Sequence, residues 1–304
     1  MAFLRAFGRY VPARVVTNAE LAARLGCEPD WILNVSGISE RRYAESETVV
    51  DLGVRAAQDC LARAGSAQIG MVIVSSGSSE RRFPGPAAEI AAKLGLAGLP
   101  ALDLPMASAG SLFGLALAAQ LAPAYGQILL IAAEKMSAAI GSDKNTAILF
   151  GDGAGACLID SKEGMAELVH SGLHSDGAYA DALRLELNAP LHMDGGVVIL
   201  QASRKIPHAI REVLDRTGHA ASSIGAFLMH QANQNLIVRI ARALEVAPEK
   251  FFSNIGRYGN TSSASMLIAA AEWNAQSGFR RGEPVVFAGF GAGFHWGALL
   301  AVGS

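Results

Sequence analysis

The chain has 304 residues, of which 51% are hydrophobic and 17% are charged, and its formal net charge is −2. This charge argues against nucleic acid or an anionic membrane as the main partner, because both require concentrated lysine and arginine. An average protein has about 25% charged residues, so the charged fraction of this chain is low. A low charged fraction predicts that part of the surface is buried between the subunits of a symmetric homodimer.

The amino terminus and the cysteines indicate the compartment. The opening segment "MAFLRAFGRYVPARVV" has arginines among its apolar residues and therefore lacks a signal-peptide core. Cys27, Cys60 and Cys157 form no C-x-x-C pattern, which is typical of reduced thiols in the cytoplasm. No cluster of histidines and cysteines has metal-ligand spacing. We therefore predict a cytoplasmic protein without a metal.

Strand-like apolar runs alternate with helical patterns along the chain. In chain order the runs are "MVIVSS" (71–76), "PALDL" (100–104), "ILLIAA" (128–133), "GACLI" (155–159), "AFLMH" (226–230) and "PVVFAGF" (284–290). This alternation predicts an α/β fold whose strands are covered on both faces.

Residues 104–133 contain no charged side chain. This segment is divided into a helix of about three turns and a strand by Gln120, Pro123 and the turn at 125–127. Each of the two pieces is shorter than the roughly 20 residues that a helix needs to cross a bilayer. The segment is therefore predicted to be buried core.

The order of these patterns repeats in the two halves of the chain. "MVIVSSGSS" followed by "AAEIAAKLGL" corresponds to "AFLMHQANQ" followed by "LIVRIARALEV", although few residues are identical and chance similarity stays an alternative. The repeat predicts two similar halves, residues 1–165 and 166–304. In such an arrangement the strand ends that carry Ser108, His230 and Asn260 converge near helix amino termini.

Each of these three residues also has an ordinary structural explanation. Serine is a favoured helix N-cap, and a histidine after a buried strand is more often structural than catalytic. An asparagine that follows a glycine in a turn commonly just tolerates a positive φ. Taken one at a time, the three signals are weak.

Five motifs taken together are more specific. They are "WILNVSGISERR", "FGDGAGACLI", "HQANQNLI", "GNTSSAS" and "GFGAGFHWGALL". In this order they resemble the β-ketoacyl-acyl-carrier-protein synthase III family of the thiolase superfamily, from the amino terminus to the last strand. The resemblance implies a thiolase-like layered α/β/α/β/α fold of two pseudo-repeated halves and a homodimer.

The resemblance also implies the chemistry. In that family a cysteine accepts an acyl group from an acyl-coenzyme A, and a malonyl thioester on acyl carrier protein then loses carbon dioxide and attacks the acyl-enzyme. His230 and Asn260 match the family's catalytic residues, and the backbone amides of Ser108 and Ala292 match its oxyanion hole. The chain is thus expected to be an acyltransferase of fatty-acid initiation or a related biosynthesis. It is expected to need no cofactor, since both thioesters are substrates.

Ser108 departs from the family, because it stands at the position of the nucleophilic cysteine. A cysteine thiol has a pKa near 8.5, an alkanol titrates several units higher, and a helix amino terminus contributes only about 0.3–2 kcal/mol. Ser108 therefore needs a base, and His230 is the family-matched candidate. Three interpretations stay open: a natural serine nucleophile, an engineered substitution, and a paralogue that no longer condenses.

Further residues are expected at the substrate by the same resemblance. Trp31 matches the tryptophan that stacks on the coenzyme A adenine, and Lys144 stands where an arginine usually clamps the other face. Asn233 is expected to contact the coenzyme as well. Phe83 matches a residue that enters the acyl pocket of the partner subunit.

Docking of acyl carrier protein is less well supported. Val35 and Asn235 stand where some family members carry arginines, and an acidic carrier is attracted by basic patches. Arg239 and Arg242 are spaced to lie on the helix face of Asn235 and are candidates to replace those charges. A solvated helix face explains the two arginines equally well.

Two other functions fit the same residues. One is an acyltransferase that forms an ester or an amide on a small acceptor in specialised metabolism, without release of carbon dioxide. The other is a non-condensing paralogue that binds acyl-coenzyme A without forming a covalent adduct.

Overall fold

The computed structural model describes residues 1–304, which form thirteen strands and ten α-helices. The strands are β1 (Phe3–Tyr10), β2 (Val15–Thr17), β3 (Glu40–Arg42), β4 (Ile69–Ser75), β5 (Ala101–Leu104), β6 (Gln127–Lys135), β7 (Asp152–Asp160), β8 (Ala166–Ser175), β9 (Leu183–Arg184), β10 (His192–Met193), β11 (Ala226–Met229), β12 (Pro284–Gly291) and β13 (His295–Gly303). The helices are α1 (Asn18–Leu25), α2 (Pro29–Ser36), α3 (Val49–Ala64), α4 (Pro86–Lys93), α5 (Gly110–Tyr125), α6 (Lys144–Ala147), α7 (Gly195–Thr217), α8 (Gln234–Ala243), α9 (Ile255–Tyr258) and α10 (Ser265–Gln276).

Nine strands form one mixed sheet in the order β11-β12-β13-β8-β1-β7-β6-β4-β5. Strands β5, β4 and β6 are parallel, and β7 is antiparallel to both β6 and β1. Strand β11 is parallel to β12, and β13 is antiparallel to both β12 and β8. The two parts meet where β1 pairs with β8 over only two residue pairs. Because β8 begins at Ala166, this seam supports the division into residues 1–165 and 166–304, which stays a prediction.

Two helices lie between the two parts of the sheet. Helix α5 contacts β4 and β6 on one side and β12 and β13 on the other, and α10 contacts β1, β7 and β11. Helix α3 packs on β1, β6 and β7 in a separate apolar cluster, and α7 packs on β8, β12 and β13 in a third cluster. The layers therefore alternate as α/β/α/β/α, which confirms the predicted fold class.

The sequences of these elements reflect their places in the layers. All residues of β6 between its two ends are buried, since helices cover both faces of the strand. Helix α5 is apolar on nearly every side because it is enclosed between two layers of strands. Helix α3 has one apolar face and begins with a capping box in which Thr48 and Asp51 exchange hydrogen bonds.

The structure contains all six strands predicted from the apolar runs and adds three long ones. Strands β1, β8 and β13 also belong to the nine-stranded sheet, although no prediction was made for them. The predicted three-turn helix after Ser108 was too short, because α5 has 16 residues and continues through Pro123. Its packing between two layers holds the helix together past the proline.

No α-helix in the structure combines the length and the apolar character needed to span a bilayer. The three cysteines are unpaired. Burial raises the pKa of the Cys60 thiol to about 12 and that of Cys157 well above its ordinary value. These two buried thiols are therefore not available as thiolates, and no cysteine lines the cavity described next.

Candidate active site

A cavity of about 840 Å³ lies beside the strand ends that carry the predicted catalytic residues. Ser108, His230 and Asn260 all line this cavity. They come from three loops far apart in the chain, after β5, after β11 and after α9. The structure therefore brings these three residues to one cavity.

Ser108 lies in a strained turn between β5 and α5. It is 6% exposed, and its φ of +62° lies in the left-handed region, which costs a non-glycine residue about 1–2 kcal/mol. Helix α5 begins at Gly110 with Ala109 as its N-cap and without a side-chain capping hydrogen bond. Ser108 is thus not a helix cap. A strained backbone at a residue that lines a cavity is typical of a functional site.

Gly291, the last residue of β12, allows this turn to pack closely. A Cβ atom on Gly291 would lie 2.1 Å from the carbonyl oxygen of Ala107 and 2.7 Å from the backbone nitrogen of Ala109. Both contacts are with backbone, so the turn itself would have to move. We expect Gly291→Ala to lower the free energy of unfolding by about 3 kcal/mol, measured by urea denaturation.

The matched control for this change is Gly177→Ala. An added Cβ at Gly177 meets nothing within 4 Å, so the free energy of unfolding should change by less than about 0.5 kcal/mol. If Gly291→Ala were as stable as the wild type, the close approach of β12 to the Ser108 turn would be wrong.

His230 follows β11 and is 1% exposed. Its Nδ1 lies 2.7 Å from Oγ of Ser265, and the same oxygen accepts a hydrogen bond from the backbone N–H of Gln231 at 3.0 Å. Ser265 therefore fixes the orientation of the imidazole ring through Nδ1. Burial lowers the pKa of His230 to about 3, and a hydrogen bond to the backbone of Ser262 opposes this effect. His230 is thus neutral near pH 7.

Asn260 pairs with Phe150 in an isolated parallel β-bridge and is 5% exposed. The left-handed conformation in this turn belongs to Gly259, whose φ is +65°, so Asn260 is not there to tolerate a positive φ. Its Oδ1 accepts a hydrogen bond from the backbone N–H of Ser262 at 2.9 Å. This bond fixes the amide group so that Nδ2 is the donor available to a ligand.

One of the two backbone amides of the predicted oxyanion hole, that of Ser108, already donates a hydrogen bond to a side chain of the protein. The backbone N–H of Ser108 donates a hydrogen bond to Oγ of Ser262 at 2.9 Å. Ala292 lies in the turn between β12 and β13, is half-buried, and is not among the residues that line the cavity. Binding of an oxyanion by the amide of Ser108 therefore requires that it exchange its bond to Ser262.

Trp31 and Lys144 lie next to each other at the cavity. Trp31, on α2, lines the cavity directly. Lys144, on α6, is exposed and does not line it, but its Nζ lies 5.6 Å from the centre of the indole ring. The two side chains form a cation–π pair, and the aromatic face and the charge predicted for coenzyme A are brought together.

Asn233 also lines the cavity, but its polar atoms have structural partners. Its Oδ1 caps α8, and its Nδ2 donates to the carbonyl oxygen of Val35 at 2.8 Å. Asn235 donates to the same carbonyl at 3.2 Å. The two positions at which family members carry arginines, Val35 and Asn235, thus contact each other and tie α8 to α2.

Phe83 lies outside this cavity. It is 85% exposed and lines a second cavity of about 1410 Å³. Within one chain, the structure therefore does not bring Phe83 together with Ser108, and its predicted role depends on a partner subunit.

Three residues of the site were missed by the sequence analysis. Ser262 contacts Ser108, Ser265 holds the imidazole of His230, and Glu134 accepts hydrogen bonds from Ser263. The serines lie within the motif "GNTSSAS", but nothing in the spacing of the motif distinguishes the serine that contacts Ser108 from the one that contacts His230. Glu134 ends an apolar strand and carries no local signal of its own.

The structure has no group of three or more His, Cys, Asp or Glu side chains that could hold a metal ion. The arrangement instead offers a hydroxyl in a strained turn and two side-chain N–H donors, which suits acyl transfer and the stabilisation of an enolate.

Comparisons with known proteins bear on the fold and the family. Residues 102–177 match the family model of 3-oxoacyl-[acyl-carrier-protein (ACP)] synthase III, and residues 214–302 match the model of its C-terminal part. The chain is 35% identical to the β-ketoacyl-[acyl-carrier-protein] synthase III of Oleidesulfovibrio alaskensis, with 98% of each chain covered.

Solved structures give the same result. The 3-oxoacyl-[acyl-carrier-protein] synthase III of Aquifex aeolicus superposes with a TM-score of 0.96 at 31% identity, covering 99% of this chain and 100% of that one. The enzyme of Pseudomonas aeruginosa superposes with a TM-score of 0.94 at 34% identity, covering 99% and 98%. The chain therefore belongs to the 3-oxoacyl-[acyl-carrier-protein] synthase III family and is an acyltransferase.

Proposed function

We propose that this acyltransferase condenses an acyl-coenzyme A with malonyl-acyl carrier protein and that Ser108 carries the acyl group between the two steps. The observation that supports this most directly is that Ser108, His230 and Asn260 line one cavity. The names of the relatives support a condensing role in the initiation of fatty-acid synthesis, and specialised metabolism is the second candidate pathway.

The first step is acyl transfer to Ser108. Oγ of Ser108 attacks the carbonyl carbon of the thioester, the carbon–sulfur bond breaks, and coenzyme A leaves as a thiol after receiving a proton. The resulting oxygen ester is a poorer acyl donor than a thioester, since an alkoxide is the stronger base. Donors that bind the carbonyl oxygen are therefore needed in both steps.

The second step is decarboxylative condensation. The malonyl carboxylate leaves as carbon dioxide, and its bonding electrons form an enolate on the thioester oxygen and α-carbon. The ring N–H of neutral His230 and the Nδ2–H of Asn260 are the two donors suited to hold this oxygen, because Ser265 fixes the imidazole and Ser262 fixes the carboxamide. The enolate carbon then attacks the acyl ester, the bond from this carbon to Oγ of Ser108 breaks, and Ser108 takes up a proton from solvent, because its original proton left with coenzyme A.

The mouth of the cavity has groups that fit coenzyme A and a carrier. The indole of Trp31 and the ammonium of Lys144 suit an adenine ring and its phosphates. Arg239 and Arg242 are both exposed on α8, which leaves them available to an acidic acyl carrier protein. We include acyl carrier protein as the second partner on this basis.

A homodimer is part of the same proposal. Phe83 is 85% exposed, Leu187 is 55% exposed, and β5 is an edge strand with an exposed Leu102. Exposed apolar groups next to an unpaired strand edge favour burial against another chain. A second copy would cover this edge and bring Phe83 to the acyl pocket of its partner.

Intact-protein mass spectrometry tests the function. Incubation with a panel of acyl-coenzyme A thioesters is expected to add one acyl mass, located on the peptide that contains Ser108 and absent from Ser108→Ala. Malonyl-acyl carrier protein should then discharge the adduct with release of carbon dioxide. Ser111→Ala, on the adjacent helix α5, is a matched control, because the buried hydroxyl of Ser111 has no hydrogen-bond partner, and it should still be acylated.

Two results would contradict the proposal. Coenzyme binding without a mass shift would identify a non-condensing paralogue. Acyl transfer to a small acceptor without carbon dioxide release would identify an ester-forming or amide-forming acyltransferase.

A further inference from the structure

Arg41, on β3, is a completely buried arginine whose hydrogen-bond acceptors are all uncharged. Its guanidinium donates to the backbone carbonyl of Ile148 at 2.7 Å, to Oδ1 of Asn18 at 2.7 Å and to the backbone carbonyl of Val16 at 3.4 Å. Burial lowers the pKa of Arg41 to about 10, so the side chain is still charged near pH 7. A buried charge without a counter-charge is unfavourable, so an arginine at this place requires an explanation beyond the filling of space.

The carbonyl of Ile148 lies at the start of the segment that pairs with Asn260. The backbone N–H of Asn260 donates to the carbonyl of the next residue, Leu149, at 2.8 Å. The backbone N–H of Gly151 donates in turn to the carbonyl of Asn260 at 3.0 Å. These two hydrogen bonds form the parallel bridge that holds Asn260. Arg41 therefore binds the carbonyl that directly precedes this bridge.

The first methylene group of Arg41 packs against the same bridge. Gly151 and Gly259 flank the bridge, one on each of the two paired segments. A Cβ atom on either glycine would lie 3.1 Å from the Cβ of Arg41, which is closer than ordinary van der Waals contact. The backbone on both sides of the bridge therefore lies directly against the Arg41 side chain.

The other arm of the guanidinium is tied to a second part of the chain. Nη1 of Arg41 donates to Oδ1 of Asn18, the first residue of α1, and Nδ2 of Asn18 donates to the carbonyl of Ile38 at 2.7 Å. The guanidinium is planar and presents its donors at fixed angles. The carbonyl of Ile148 is therefore held at a fixed position relative to Asn18.

We infer that Arg41 is a positioning residue for the carboxamide of Asn260, which it places for the enolate formed by decarboxylation of the malonyl group. This inference rests on the proposed function, because it concerns the step in which Asn260 holds the enolate oxygen. Arg41 does not line the cavity, so it acts through the bridge and not by contact with the substrate. Ser108 makes no hydrogen bond to the bridge, so acylation should depend on Arg41 much less than decarboxylation does.

Release of carbon dioxide from malonyl-acyl carrier protein, without an acyl donor, measures this effect. Arg41→Met keeps an unbranched apolar stem and removes the guanidinium. We expect kcat to fall by roughly 100-fold, because a displacement of about 1 Å can cost this factor, and KM to stay unchanged, because Arg41 does not touch the substrate. Acylation of Ser108 by an acyl-coenzyme A, followed by intact-protein mass spectrometry, should proceed close to the wild-type rate.

A double-mutant cycle separates positioning from a general loss of structure. In an Asn260→Ala background the carboxamide is absent, so Arg41→Met should have little further effect on kcat. Arg41→Lys keeps the charge but not the planar fork, and it is expected to lower kcat nearly as far as Arg41→Met. Arg42→Met is the matched control on the same strand, because its guanidinium donates to Glu40 at 3.0 Å and not to the bridge, and it should release carbon dioxide at the wild-type rate.

The inference would be overturned if Arg41→Met released carbon dioxide at the wild-type rate, or if the losses from Arg41→Met and Asn260→Ala multiplied. Equal slowing of acylation and decarboxylation in Arg41→Met would also overturn it, since the role would then be generally structural. Full activity of Arg41→Lys would overturn it as well, because the charge alone would then be sufficient. Absence of carbon dioxide release by the wild-type chain would instead contradict the proposed function.

Discussion

Replacing Ser108 by cysteine is expected to raise the rate of acylation by roughly 10³-fold near pH 7. A thiol with a pKa near 8.5 is partly ionised at this pH, whereas an alkanol is not, and the difference is of the size that general base catalysis supplies. The replacement changes one atom in a turn whose φ is +62°, so the backbone strain is the same for both residues. Stopped reactions with an acyl-coenzyme A, analysed by intact mass, measure the rate.

The control for this prediction is the release of carbon dioxide from malonyl-acyl carrier protein in the absence of an acyl donor. This reaction uses the donors on His230 and Asn260, so it should be similar for both nucleophiles. An equal or slower acylation of the cysteine variant would contradict this prediction.

The stability of the protein is expected to fall as the pH falls from about 6.5 to about 3 because of His230. Burial lowers the pKa of His230 in the folded chain from 6.5 to about 3. Between these values the unfolded chain binds a proton that the folded chain does not, so protonation favours unfolding. The contribution is fully present above pH 6.5 and amounts to about 5 kcal/mol at most, taking 1.36 kcal/mol per pKa unit.

Urea denaturation at several pH values measures this effect. The slope of the unfolding free energy against pH over this range should be smaller in His230→Gln than in the wild type. His208→Gln, at an exposed position on α7, should leave the slope unchanged. A wild-type slope in His230→Gln would show that His230 is not buried in its neutral form.

Much of the fold could be predicted from the sequence because continuous apolar runs mark the strands that are covered on both faces. The apolar runs that became β4, β6, β7 and β12 lie in the interior of the sheet, where both faces are covered and the hydrophobic signal is continuous. Strands β1, β8 and β13 gave no prediction, because their glycines, histidines and half-buried positions interrupt that signal. Helix α5 exceeded its predicted length because packing on two sides outweighs the local effect of Pro123.

The family and the three site residues were also predictable, because each of these residues lies in a short motif that can be recognised in the sequence without knowledge of the fold. "HQANQNLI" and "GNTSSAS" identified His230 and Asn260, and the resemblance to the family identified Ser108 as the departure from it. The chain alone could not show whether these residues share a cavity, since that depends on how loops after β5, β11 and α9 meet in space.

What only the tertiary structure decided is the immediate environment of each group. The contact of Ser262 with Ser108 and the bond from Ser265 to His230 join residues that are 154 and 35 positions apart in the chain. Glu134 lies in an apolar strand, and only the tertiary structure shows that a serine from another loop donates a hydrogen bond to it. Residue types and local order follow from sequence, but proton affinities and donor directions follow from burial and long-range contacts, because desolvation and hydrogen bonding act through space.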